Sequence, residues 1–186
     1  VLRLTMLLHD VAKPVCITTD EAGQNHFKGH PVKGADMAKV ILRRLKFDND
    51  TTDRVCRLVR YHDDRPELNA RTVRRAMNRI GVENMPALFA VKRADTLGQS
   101  MYHRQEKLAY VDTFERFFRE ICAAQQCVQK KDLAISGSDL IAMGMKPGKE
   151  IGAVLNKLFE RVLDEPELNQ RDKLLDMAHN LMTRLI

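Results

Sequence analysis

Apolar residues recur along this chain at the three-to-four-residue spacing of helices and almost nowhere with the strict alternation of a strand. Leu4, Leu7 and Leu8 predict an opening helix that ends near Lys13 and Pro14, because the residue before a proline is pushed out of helical geometry. Residues 15–28 change character, and Thr18-Thr19, a polar turn at Gly23 and a second short run to Phe27 predict a β-hairpin-like excursion. Met37, Val40, Ile41 and Leu45 predict a helix from His30 to Leu45. Asp50 or Thr51 stands where it can cap the next helix, whose face carries Val55, Leu58 and Val59. A helix over residues 71–80 ends at Gly81, a natural C-terminal cap. Another covers residues 85–98, with Leu88, Val91 and Asp95 on one side. A long helix from about 103 to 127 has Leu108, Val111, Phe114, Phe118 and Ile121 as its apolar stripe.

The organisation shifts near Lys130. A short helix from Ser138 to Met143 and a turn over residues 144–148 precede the cleanest amphipathic stretch, residues 149–163, with Ile151, Val154, Leu155, Leu158, Phe159 and Val162. Asn169, with Asp172 three residues on, predicts the start of a last helix. The expected class is all-α, with a helical bundle over residues 1–128 that carries the hairpin and a smaller helical domain over residues 129–186.

Composition changes this picture in two ways. Only six Pro and nine Gly in 186 residues argue against a disordered or loop-rich chain. Against 25 acidic residues stand 31 Lys and Arg, and the resulting charge of +6 favours polyanionic partners such as RNA. The four cysteines, Cys16, Cys56, Cys122 and Cys127, form no C-x-x-C pair, so they read as reduced thiols of a cytoplasmic protein rather than a zinc ribbon. No apolar run is long enough to cross a membrane. Arg71, Arg74, Arg75 and Arg79 fall on one helical stripe with no acid between Glu67 and Glu83, which reads equally as a phosphate-binding stripe or a solvated face. Lys92, Arg93, Arg104 and Lys107 extend the positive character. Lys146 and Lys149 flank a turn that opens a helix, where free backbone N–H groups attract anions.

The candidate chemistry lies in His and Asp residues on apolar helix faces. His9 and Asp10 end the first helix; His30 shares a face with Gly34, Met37 and Ile41; His62 continues the face of Val55, Leu58 and Val59, followed by Asp63; Asp95 follows Leu88 and Val91. Burying a carboxylate beside Leu and Val is costly unless something compensates, and a divalent cation is an effective compensator. Mixed imidazole and carboxylate ligands suit Mn, Fe, Ni, Co, Zn or Mg and serve phosphate chemistry. Taken singly, each residue also fits a hydrogen-bonded core position; His26, His103 and His179 lack the context and read as incidental.

These blocks resemble a family. Residues 7–14 (Leu-Leu-His-Asp-Val-Ala-Lys-Pro) are similar to the signature of HD-domain metal phosphohydrolases. Phe27-Lys28-Gly29-His30 with Gly34-Ala35, then residues 58–63 and Arg93-Ala94-Asp95, resemble the following blocks in the HD region of tRNA nucleotidyltransferases and poly(A) polymerases. Residues 136–175 resemble the downstream helical region of the same enzymes. The resemblance implies His9, Asp10, His30, His62 and Asp95 as metal ligands, Asp63 as a carboxylate orienting an imidazole, and Asp10 and Lys13 as catalytic, with Lys13 meeting a substrate phosphate. It also implies tRNA or another structured RNA as partner, contacted by Arg71, Arg74, Arg75, Arg79, Lys146 and Lys149 through its backbone.

Two departures accompany it. The family supplies a further His from a preceding helix, and the eight residues before His9 hold none. The nucleotidyltransferase head is also missing, and the start at Val1 reads as the interior of a longer chain. The expectation is the HD-type half of such an enzyme, at most a metal-dependent phosphohydrolase or phosphodiesterase by itself. A non-catalytic RNA-binding scaffold with a remnant site and a free-standing HD nucleotide hydrolase are the alternatives.

Overall fold

The structure, a computed structural model, describes residues 1–183. It is all-α apart from one two-stranded hairpin. The chain divides into two compact units: Val1–Glu67 with Ile80–Arg116, and Leu68–Arg79 with the chain from Phe117 onward. No described helix is long and apolar enough to cross a membrane.

The first unit opens with α1 (Leu2–Leu8) and a four-residue α2 (Lys13–Cys16). Pro14 does not close the opening helix as its position suggests; α1 already ends at Leu8, and the proline sits in the first turn of α2, where its missing N–H costs nothing. The hairpin follows, β1 (Thr18–Thr19) antiparallel to β2 (Asn25–His26), with Thr18 opposite His26. Its turn needs a positive φ, which Gly23 supplies at 78°.

α3 (His30–Arg44) packs on α4 (Asn49–Tyr61), and α1 packs on α4 and on α6 (Met85–Gly98). The cap of α4 is Asp48, which accepts a hydrogen bond from the Thr51 N–H, rather than Asp50 or Thr51. The buried stripe of α3 is Gly34, Ala35, Ala38 and Leu42, while Val40 and Leu45 are exposed. Small residues win there because they let backbones approach. A Cβ on Gly34 would lie 3.4 Å from Val59 of α4 and 3.6 Å from the His9 carbonyl. Gly34, on the helix opened by His30, thus packs close to the segments that carry His9 and His62.

The second unit contains most of α5 (Ala70–Ile80), the end of α7 (Arg104–Ala123), α8 (Gly137–Ala142), α9 (Lys149–Asp164) and α10 (Arg171–Met182). Its core joins Leu140 of α8, Val154, Leu158 and Val162 of α9, and Leu174 and Ala178 of α10. α8 begins with a capping box in which Ser136 and Asp139 each bond the other's backbone N–H. Asn169 does not cap α10, whose N-cap is Gln170. The Asn169 amide instead bridges the Ala134 N–H and the Asp132 carbonyl, tying the loop before α8 to the start of α10.

Candidate metal centre

Three imidazoles of the first unit share one local device. His9 follows the last turn of α1, His62 follows the last turn of α4, and His30 opens α3. Each Nδ1 lies against the carbonyl three residues earlier: His9 on Met6 at 2.8 Å, His30 on Phe27 at 2.8 Å, His62 on Val59 at 2.7 Å. A carbonyl only accepts, so each Nδ1 carries a hydrogen. For His9 and His62 the acceptor belongs to a helix's last turn, where carbonyls lack helical partners. All three Nε2 atoms are left to face inward.

They meet two carboxylates. Asp10 Oδ1 lies 3.3 Å from His30 Nε2 and 3.7 Å from His62 Nε2, and those two nitrogens are 3.3 Å apart. Asp10 Oδ2 lies 3.2 Å from His9 Nε2, which lies 3.3 Å from Asp95 Oδ1. The result is two triads, Asp10-His30-His62 and His9-Asp10-Asp95, joined through Asp10. Ligand bonds of about 2.1 Å place neighbouring ligand atoms roughly 3.0–3.5 Å apart in tetrahedral or octahedral geometry, and the observed separations centre on that range. The donor chemistry fits as well. Two imidazole Nε2 atoms at 3.3 Å, each with its Nδ1–H already committed, repel one another unless a proton or a cation lies between them.

The electrostatics follow the contacts. The Asp95 carboxylate raises the His9 pKa above its ordinary 6.5, and His9 in turn holds Asp95 below its usual value. Burial lowers the His62 pKa from 6.5, so it favours the neutral form that a metal needs. The two shifts act on stability in adjacent windows. His9 holds its proton more tightly when folded, so its contribution is complete below pH 6.5 and is lost as pH rises through the raised value. His62 holds its proton less tightly when folded, so stability is lost as pH falls from 6.5 through the lowered value. After chelation, the protein is therefore expected to be most stable near pH 6.5, read as the urea midpoint between about pH 5 and about pH 8. A midpoint that changes in one direction only across that range would contradict these assignments.

Around the cluster, Lys13 Nζ sits 2.6 Å from Asp10 Oδ2 and 5.6 Å from the centre of the Phe27 ring. Asp63, expected to orient an imidazole, lies 3.6 Å from Arg65 at the edge of the site, while the Val59 carbonyl holds His62 at Nδ1. Lys92 is a residue that the sequence reading misplaced as surface charge. It is buried, its Nζ donates to the His62 and Asp64 carbonyls at 2.8 and 2.5 Å, and burial pushes its ammonium down to about 8. It thereby ties the turn after α4, which carries His62, to α6, which carries Asp95. Its offsets of four from Leu88 and three from Asp95 were the available signal. Arg93 pairs with Asp112 and Glu115, Arg104 bonds the Leu97 and Gln99 carbonyls, and Lys107 bonds Gln99. His26 pairs with Asp20, and His103 with Glu106.

The arginine stripe lies in the second unit, and its members are engaged. Arg71 and Arg75 both bond Asp164, Arg75 also reaches Glu160, and Arg74 is buried. Arg79, Lys146 and Lys149 are exposed.

Comparison with known proteins gives a consistent result. A family model described as tRNA nucleotidyltransferase domain 2 matches residues 32–178. The CC-adding tRNA nucleotidyltransferase of Thermus thermophilus is 31% identical over 164 residues, which is 85% of this chain and 35% of that protein. The A-adding tRNA nucleotidyltransferase of Deinococcus radiodurans is 31% identical over 169 residues, 88% of this chain and 38% of that protein. The CCA-adding enzyme of Lacticaseibacillus paracasei is 37% identical over 73 residues, 39% of this chain and 18% of that protein. The chain thus spans little more than a third of the length of the first two relatives. No solved structure matches it.

Proposed function

This chain belongs to the tRNA nucleotidyltransferase family, and on that premise we propose that its first unit is an HD-type metal centre that hydrolyses a phosphate ester. The observation that carries the reading is the convergence of three Nε2 atoms on the two oxygens of Asp10, with ligand separations suited to divalent ions. His9, Asp10 and Asp95 hold one ion; Asp10, His30 and His62 hold a second or share the first. When bound, a divalent ion supplies Lewis acidity and a water acidic enough to act as hydroxide near neutral pH. The chain's own groups do the rest. Asp10 and Asp95 offset the cationic charge, the three backbone carbonyls fix the imidazoles, and Lys13 offers a cation to a substrate phosphate beside Asp10.

tRNA is the proposed partner, since tRNA nucleotidyltransferases are the relatives. Exposed Lys146 and Lys149 are the proposed phosphate contacts, whereas Arg71, Arg74 and Arg75 serve the second unit's own packing first. Nucleotide addition itself is named for relatives of which this chain matches little more than a third, and it is not assigned to these two units. The test is metal content after purification from divalent-supplemented medium, together with turnover of 4-nitrophenyl esters of phosphate. At least one transition ion per chain and chelator-sensitive hydrolysis are expected. A metal-free protein of intact fold that still binds tRNA would favour the scaffold alternative.

A further inference from the structure

Asp95 stands within α6 and His30 opens α3, but His62 follows the last residue of α4 and leads into residues 64–67, which are neither helix nor strand. Helix ends lack the hydrogen bonds that hold a helix's interior, so a residue placed there needs support from outside its own helix. For His62 that support comes from α6. The Lys92 ammonium donates to the His62 carbonyl at 2.8 Å and to the Asp64 carbonyl at 2.5 Å. We infer that Lys92 is a positioning residue of the metal centre, which keeps the His62 imidazole in reach of an ion by holding the chain beyond α4 against α6. This deepens the metal-centre reading, rests on it, and adds to it a residue that touches no ion.

A lysine at this place is costly. It is 6% exposed, and burial pushes its ammonium down to about 8, against a partial offset from Asp64, Asp63 and Asp95. A methionine would fill much the same space with no charge to desolvate. What the ammonium alone adds is three N–H donors on one atom, and two of them end on carbonyls two residues apart. Rotation of the backbone between His62 and Asp64 therefore breaks a charge-assisted hydrogen bond. The Val59 carbonyl sets which nitrogen of His62 is bare, and Lys92 sets where that nitrogen stands. His9 is supported differently. The turn after it is closed by the Val11 N–H on the Leu8 carbonyl at 3.1 Å and the Lys13 N–H on the Asp10 carbonyl at 2.9 Å, and its carboxylate partner Asp95 lies within α6. Loss of Lys92 thus releases His62 from the ligand set and leaves His9 in it.

The experiment titrates Cd²⁺ into the full chain labelled with ¹⁵N-histidine and follows the imidazole Nε2 resonances by NMR. In the wild type, the His9, His30 and His62 resonances are all expected to shift on binding. In Lys92→Met the His9 resonance still shifts and the His62 resonance does not. The Cd²⁺ affinity falls by roughly 10- to 100-fold, the range for loss of a group that supports a ligand. Lys92→Gln, whose amide keeps two donors at a reach one bond shorter, is expected to show a smaller loss in the same direction. It takes the place of the methionine variant if circular dichroism shows that variant to be unfolded. An unchanged His62 shift and affinity in the folded variant overturns the positioning role. So does loss of the His9 and His62 shifts together, which marks a general structural role. Wild-type protein in which no imidazole shifts overturns the metal centre itself, so the wild-type titration separates the two failures.

Discussion

Replacing Asp10 with alanine is expected to leave the protein unable to retain a divalent ion on either side of the cluster. Its Oδ1 completes the triad with His30 and His62, and its Oδ2 completes the one with His9 and Asp95. Loss of a group that merely orients a ligand lowers metal affinity by roughly 10- to 100-fold, so loss of a shared ligand should exceed the upper end of that range. Asp10→Asn should do nearly the same, since it keeps the shape but removes the charge that offsets the cation. Stability should change little, by about 1 kcal/mol or less, because Asp10 and Lys13 are both partly exposed and the imidazoles that Asp10 also touches keep their backbone carbonyl partners. The check is metal content after gel filtration, with competition titration for affinity. Asp20→Ala, which removes the hairpin acid paired with His26, is the control and should bind as wild type does. Undiminished ion retention by the Asp10 variants would remove the metal centre from the account.

The second large effect is on stability, at Arg74. Its guanidinium donates to the Leu163 carbonyl at 2.7 Å, the Asp164 carbonyl at 3.0 Å and the Gln126 side chain at 2.9 Å. These two carbonyls belong to the end of α9, where the helix supplies no N–H for them. Arg74→Ala strips those acceptors and opens a void where a long side chain lay, at 4% exposure in the native fold. The expected cost is about 3–5 kcal/mol, the sum of orphaned buried acceptors and lost packing. Arg71→Ala, which removes an exposed ion pair to Asp164, should cost about 1 kcal/mol or less. Urea unfolding of both variants gives the comparison. Equal midpoints would show that α5 is not pinned to α9 through Arg74.

The contrast between these two sites shows what the chain's pattern discloses. The His and Asp positions of the candidate centre stand out because polar, ligand-capable residues interrupt apolar helix faces, and that is a local signal. Arg71, Arg74 and Arg75 carry no such signal. Their partners at Glu160, Leu163 and Asp164 lie 85 to 93 residues onward, so spacing alone leaves an acid-free stripe that looks solvated or phosphate-binding. Element existence reads well from periodicity, but faces do not always. On α3 the side-chain-poor positions Gly34, Ala35 and Ala38 are inside and Val40 is outside, because close helix approach outweighs the hydrophobicity of one valine. Lys92 was missed because a lysine is read as solvent-seeking, which outweighed its helical spacing from Leu88 and Asp95; the two carbonyls that accept from its ammonium account for its burial.

The carbonyl that holds each imidazole lies three residues before it in the same stretch of chain. Tautomer choice is therefore encoded within tetrapeptides and needs no remote residue to enforce it. An arriving ion finds the correct nitrogen bare at every arm, with no proton to relocate between ring positions first. Its uptake above the histidine titration range should proceed without a slow rearrangement step, and exchange of one transition ion for another should follow the intrinsic water-loss rates of the ions themselves.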